Sequence, residues 1–340
     1  RGITSVAEAR NFFRPKLSQL HNPFLMNDMD VAVRRLNKAL GKKERILVYG
    51  DYDVDGTTAV ALVYKFLQQF SSNIDYYIPD RNEDGYGISK RGVDYAHSTG
   101  VKLIIVLDCG IKAIEEIAYA KSLGMTVLVT DHHEIPYEES DGEKRYLRSE
   151  ADAIVNPKQQ DCKYPFKEIC GATVAFKVMQ VLYEKMGFAL EESYEFLENV
   201  AFATVGDVME LCDENRILVK EGLKRICTTS NPGMRALVLQ NGLELEQVNS
   251  YHFGFVLGPC INASGRLDTA KISLNLFLEE DYEKAADIAR ELVELNIQRK
   301  DMTAEEIFAE ILQDKPNYCD NGGATFSGGE PLMYAKILKK

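Results

Sequence analysis

At 340 residues, 45% of them hydrophobic, the chain can bury a large core, which excludes disorder and fibrous repeats and predicts one large or two medium domains. Forty basic residues against 52 acidic ones leave a net charge of −12, which argues against broad adhesion to polyanions but leaves room for local phosphate sites and for an acidic metal centre. Seven cysteines without CxxC or paired spacing exclude a disulfide scaffold and a cysteine-based zinc site and fit a reducing cytoplasm, and no apolar run approaches the length of a membrane span. The opening RGITSVAEARNFF has no apolar signal core, and its lack of an initiating Met reads as a fragment.

Residues 1–44 read as a helical lead-in. From Arg45, short apolar runs alternate with amphipathic stretches, the pattern of an α/β domain whose parallel sheet is covered by helices on both faces. The expected strands are Ile46–Tyr49, Ile74–Ile78, Leu103–Leu107, Thr126–Thr130 and Ala153–Val155, with helices at Thr57–Phe70 and Ile111–Leu123. The pattern turns mainly helical from Gly171 to about Gln240, and a Gly-rich loop is expected at Gly258–Arg266. The main domain therefore covers 45–280, a long connecting helix covers 281–312, and the Gly-rich stretch 313–340 is an unassigned tail, foreign or truncated.

The segment YGDYDVDGTTA (Tyr49–Ala59) places Asp51, Asp53 and Asp55 at alternate positions between a strand and a helix, so the three carboxylates can face one point. Crowded carboxylates repel one another unless cations neutralise them; a solvated acidic turn explains the segment about equally well. A calcium loop of the EF-hand type drops out, because position 62 is Leu where that loop needs Glu. Two later strands run into Asp108 and into Asp131-His132-His133-Glu134. Ligand crevices of open parallel sheets lie at the carboxyl ends of strands, so three strands deliver acids or imidazoles to one edge. Asp207 in ATVGDVMEL is a further acid in an apolar run, with a helix cap as the competing explanation. Asp53, Asp55, Asp108 and Asp207 together balance two divalent cations; carboxylates with imidazole suit Mn²⁺, with Mg²⁺ as the alternative. Such a pair supports in-line phosphoryl displacement. PDRNEDGYG, with Arg81 and Tyr86, and GPCINASGRL, with Asn262, Ser264, Gly265 and Arg266, offer phosphate contacts, although composition alone favours two ordinary turns with a surface Arg.

Taken in order, GDYDVDGTTA, LDCGI, VTDHHE, GDVMEL and GPCINASGRL resemble the DHH phosphoesterase superfamily and, in detail, RecJ-type single-strand-specific DNA exonucleases, over about Gly2 to Leu312. The resemblance implies a DHH catalytic domain at 45–280, with Asp53, Asp55, Asp108, His132 and Asp207 as metal ligands, and Asp51 and His133 as catalytic residues. In this scheme His133 contacts the scissile phosphate or completes the metal site. It further implies that Arg81, Tyr86 and Asn262 to Arg266 bind the strand, which is degraded from its 5′ end in DNA repair and recombination. Single-stranded DNA is the implied substrate, a helicase or single-strand-binding protein the implied protein partner, and no membrane is involved. Cys260 stands where many relatives are expected to carry Arg, and no DHH-associated C-terminal domain or OB-fold is visible. The tail segment GGATFSGGEPL resembles radical-SAM activating enzymes but lacks their CxxxCxxC cluster. Two other functions compete: a small-substrate DHH phosphodiesterase or pyrophosphatase, and a catalytically silent nucleic-acid-binding scaffold. The intact set of ligand positions argues against the scaffold.

Overall fold

The computed structural model describes residues 4–81, 83–140, 143–267 and 269–300. Its elements begin with α1 (Val6–Phe13), α2 (Met29–Gly41), β1 (Ile46–Gly50), α3 (Val54–Gln68), β2 (Ile74–Tyr77), α4 (Lys90–Ser98), β3 (Leu103–Leu107), α5 (Ile114–Ser122) and β4 (Thr126–Thr130). A hairpin of β5 (Tyr137–Ser140) and β6 (Glu143–Tyr146) precedes β7 (Ala153–Val155). The rest is helical: α6 (Gly171–Met186), α7 (Leu197–Gly206), α8 (Asp213–Ile226), α9 (Pro232–Gln240), α10 (Ser250–His252), α11 (Gly258–Leu267), α12 (Lys271–Leu278) and α13 (Tyr282–Lys300).

Five strands pair in parallel in the order β2-β1-β3-β4-β7. Strands of such a sheet are buried on both faces and therefore read as unbroken apolar runs; β1 and β3 are buried at every position. Alternate side chains feed two cores. Ile46, Val48, Leu103, Ile105 and Leu128 join α2, α3 and α6 on one face, while Leu47, Tyr49, Ile104, Val106 and Val127 join Val93 of α4 and Ile117 of α5 on the other. The chain leaves β1 through α3 on the first face and re-enters at β3 through α4 on the second. That reversal makes the carboxyl ends of β1 and β3 the topological switch point.

Two segments depart from expectation. The connection from β4 to β7 contains the exposed hairpin, which periodicity did not signal. Gly258–Arg266 is helix, not loop: α10 runs through a π-turn at Phe253–Leu257 directly into α11. Its small residues serve close packing, since a Cβ on Gly265 would lie 2.9 Å from the Tyr52 carbonyl oxygen. The expected helix 281–312 is seen as α13, and its remainder and the tail 313–340 lie outside the described residues. The cysteines among the described residues form no disulfide with one another, and no described helix is long and apolar enough to cross a membrane.

A buried polar hub fastens the lead-in to the helices. Glu214 at the start of α8 accepts hydrogen bonds from Lys177 Nζ of α6 (2.5 Å), the His21 backbone N–H (2.6 Å) and the Tyr164 hydroxyl. Neither Lys177 nor Glu214 is exposed. Removing one partner of such a pair strands a buried charge, which costs about 3–5 kcal/mol, whereas neutralising both costs less. Lys177→Met should lower the unfolding free energy by roughly 3 kcal/mol in denaturant titration, and adding Glu214→Gln should recover part of the loss. A single variant of wild-type stability would show that the hub is not under this electrostatic constraint.

Candidate metal centre

Each acidic side chain arrives on an element that ends or begins at the switch point. Asp51 follows β1, Asp108 follows β3, and Asp131, His132 and His133 follow β4. Asp53 caps α3 by accepting the Gly56 N–H at 2.9 Å, Asp55 occupies the first turn of α3, and Asp207 closes α7. The start of α6 fixes Asp55: the N–H groups of Gly171 and Ala172 donate to its two carboxylate oxygens at 2.6 and 2.8 Å. Free N–H groups and the positive end of the helix dipole both favour the anion there. Glycine is required for this approach, because a Cβ at position 171 would stand 2.5 Å from Asp108 Oδ1.

His132, buried to 6% exposure, points Nε2 at three carboxylates: Asp108 Oδ1 at 3.1 Å, Asp207 Oδ2 at 3.7 Å and Asp55 Oδ2 at 3.8 Å. Three sets of donor atoms lie within 4.8 Å of one another: Asp55, His132 and Asp207; Asp51, Asp53 and Asp108; and Asp108, His132 and His133. The first two share no residue, and the third joins them through Asp108 and His132. Asp108 holds a left-handed backbone (φ 57°), a strained conformation for a non-glycine residue and one that recurs at functional sites.

The electrostatics is that of a site built for cations. Burial, then repulsion from neighbouring aspartates, raises Asp51 and Asp108 far above the usual carboxylate range and raises Asp53 as well. Asp207 is pushed up to about 9 by burial and by Asp55 and Asp53. His132 is lowered by burial, so its imidazole is neutral. Asp108 Oδ1 and Asp207 Oδ2 are buried without a hydrogen-bond partner. Unsatisfied carboxylate oxygens converging with a neutral imidazole fit hard or borderline divalent cations.

Asp131 plays a different part, which the sequence did not reveal. Its Oδ1 accepts the N–H groups of His132 and His133 and the His133 Nδ1 proton (2.8 Å), and its Oδ2 accepts the Ile111 N–H. Burial alone would raise this carboxyl, but these bonds hold it below the usual range. The charged carboxylate in turn raises His133 against the effect of burial, and it leaves Nε2 facing the Tyr86 hydroxyl at 3.3 Å. Rings lead outward from there: Tyr86 meets Tyr52 edge to face, and the Arg81 guanidinium lies 5.9 Å from the Tyr52 ring centre. The i, i+2 spacing of Asp131 and His133 at a strand end was the available signal.

The remaining expected substrate contacts are placed as follows. Asn262 accepts the Val54 N–H at 2.8 Å and so pins α11 to the start of α3. Ser264 is fully buried and bonded to Ser273 and the Ile261 carbonyl, so in this conformation it offers no surface to a ligand. Gly265 packs on Tyr52, and the Arg266 side chain lies outside the described residues.

The fold and site define a doubly wound α/β domain equipped to hold divalent cations at its switch point. The DHH family, N-terminal domain, matches residues 45–204. The single-stranded-DNA-specific exonuclease RecJ of Bacillus subtilis is 36% identical over 304 residues, spanning 89% of this chain and 37% of its own, and that of Escherichia coli is 37% identical over 313 residues, spanning 89% and 52%. A crystal structure of exonuclease RecJ bound to manganese superposes with a TM-score of 0.73 at 32% identity, covering 89% of this chain and 72% of that one. The chain belongs to the DHH family and, within it, to the RecJ group. It spans about half the length, or less, of the curated relatives it matches.

Gly171→Ala should leave the fold recognisable by circular dichroism but weaken Mn²⁺ binding by at least about tenfold, since the added methyl displaces Asp108 or the start of α6. Wild-type affinity in a calorimetric titration would refute this. A second expectation concerns protons. With its pKa near 9 in the metal-free fold, Asp207 carries a proton at pH 7 that an arriving cation must displace, so binding should release protons and tighten as pH rises toward 9. A carboxyl raised on folding stabilises the metal-free fold below about pH 4 and loses that contribution as pH rises through 9. Mn²⁺ should therefore raise the melting temperature more at pH 8 than at pH 5.5. Equal shifts, or binding heats independent of buffer ionisation enthalpy, would contradict it.

Proposed function

We propose that this chain is the catalytic part of a metal-dependent phosphodiesterase that degrades single-stranded DNA from its 5′ end. Asp53, Asp55, Asp108, His132 and Asp207 would hold two divalent cations, Mn²⁺ in preference to Mg²⁺. The observation that carries this reading is the meeting of two separate donor sets through Asp108 and His132 at the switch point, with carboxylate oxygens left unsatisfied. The name of the relatives supplies the substrate class. Bound there, the cations would supply positive charge for the phosphoryl oxygens and the means to ionise water near neutral pH.

The protein's own groups do the rest. Asp131 fixes the His133 ring so that Nε2 faces the entrance beside Tyr86, where a protonated imidazole can contact the scissile phosphate and give a proton to the leaving oxygen. Asp51, buried among like charges, has the raised affinity for protons that suits it to take one from the attacking water. Arg81 and the rings of Tyr52 and Tyr86 would receive the strand, phosphate on guanidinium and base on ring. We further propose a place in DNA repair and recombination in the cytoplasm, with a helicase or single-strand-binding protein as partner.

The test is hydrolysis of 5′-labelled single-stranded DNA with Mn²⁺ against a chelated control. Mononucleotide release from the labelled end supports the reading; cleavage confined to dinucleotides or pyrophosphate would move it to a small-substrate enzyme. Asp108→Asn should cut turnover by about a hundred- to a thousandfold or more with the fold intact. Near-normal turnover in that variant would remove Asp108 from the centre.

A further inference from the structure

Lys158 stands in the turn after β7, at the same carboxyl edge as the acids. The turn is locked to the end of β4: Asn156 Nδ2 donates to the His133 carbonyl at 3.0 Å, and Asn156 Oδ1 accepts the Lys158 N–H at 2.8 Å. The ammonium lies 3.0 Å from Glu134 and 3.4 Å from Glu168, and the lysine side chain is 15% exposed while the glutamates are 81% and 57% exposed. The cation is thus built into the wall, and its partners reach in from solvent. Glu134 comes two residues after His132, and Glu168 three residues before Gly171, whose N–H holds Asp55. Lys158 therefore sits beside the metal centre, and its charge acts against protonation of both His132 and Asp207.

For a site that must gather divalent cations, a neighbouring lysine is a cost, and ion pairs to exposed carboxylates contribute only about 0–1 kcal/mol in return. Topology suggests what offsets that cost. β2 and β7 are the two edges of the sheet; Arg81 follows β2, Lys158 follows β7, and the acids follow the strands between. Two cations flank the acidic centre on opposite sides, an arrangement matched to a polyanion laid across the edge of the sheet.

We propose that Lys158 is a phosphate-contacting residue, whose ammonium exchanges Glu134 and Glu168 for a backbone phosphate oxygen of the strand on the β7 side of the metal centre. The inference rests on the phosphodiesterase reading for the identity of its ligand and is tested without turnover. In Lys158→Met, Mn²⁺ affinity by calorimetry should rise about three- to tenfold, because a like charge has gone. Affinity for a fluorescent single-stranded oligonucleotide, read by anisotropy in a chelating buffer, should fall at least about tenfold, and Lys158→Arg should restore most of it. Glu134→Gln with Glu168→Gln, both at exposed positions, should release the ammonium and tighten strand binding, which keeps the question open to test if Lys158→Met does not fold. Unchanged strand affinity in these variants overturns the proposal. Loss of metal and strand affinity together in Lys158→Met would also overturn it, by showing a merely structural role. If the wild-type chain binds the strand through Lys158 but does not hydrolyse it, the phosphodiesterase reading falls and this one stands.

Discussion

The two hydrogen bonds from the start of α6 to Asp55 are the constraint on which the rest of the centre depends. They join α3, which carries Asp53 and Asp55 away from β1, to a helix that begins far along the chain and lies on the same face of the sheet. The junction is tight enough that Asp108, at the end of β3, packs directly on Gly171. Three elements that could each tolerate some displacement are thereby held at one spacing, and His132 and Asp207 complete the ring around them. The geometry is set by backbone N–H groups at a helix start, which are fixed once the helix is formed and need no side-chain ordering of their own.

That rigidity holds a repulsive arrangement. Five buried or partly buried acids around one imidazole would separate if the backbone allowed it, and burial with mutual repulsion raises the proton affinity of Asp51, Asp53, Asp108 and Asp207 in the metal-free fold. Asp131 is the exception that makes the division of labour visible. It lies as deep as its neighbours, yet four N–H donors satisfy it, so it remains charged and spends that charge on His133. Asp108 and Asp207 keep buried oxygens without a hydrogen-bond partner, whereas the bonds to Asp131 keep it charged and turn it to the positioning of an imidazole.

Much of this was legible in the sequence because the sheet is buried on both faces. Runs such as LIIVL and TVLVT admit few other readings, and the residues after them, Asp108 and Asp131 to His133, fall at one edge by topology alone. The convergence of Asp51, Asp53 and Asp55 with them followed from the same rule, whereas Asp207, at the end of a helix, was joined to them only by charge balance and by the family resemblance. The contacts that tertiary packing decides were not legible. Nothing in the local pattern says that Gly171 faces Asp108 or that Asp55 is held by α6. Glycine and proline made GPCINASGRL look like a loop, whereas the small residues there let a helix lie flat on the Asp53–Asp55 turn. Ser264 faces inward for the same reason. Asp131 and Lys158 were hidden because each depends on where one side chain points.

The buried hub has a consequence for how the protein is made. His21 and Glu214 are 193 positions apart, yet they share a hydrogen bond inside the fold. On a ribosome the lead-in emerges well before α8 and must wait, its anchor unmade, until α8 is clear of the exit tunnel. The Asp55 turn likewise waits for α6, and His132 for Asp207. Contacts of such long sequence separation form late and slowly. A nascent chain would carry Asp55 without its anchor until α6 has emerged and His132 without Asp207 until α7 has, so the full set of side chains would meet only after these distant elements have been delivered.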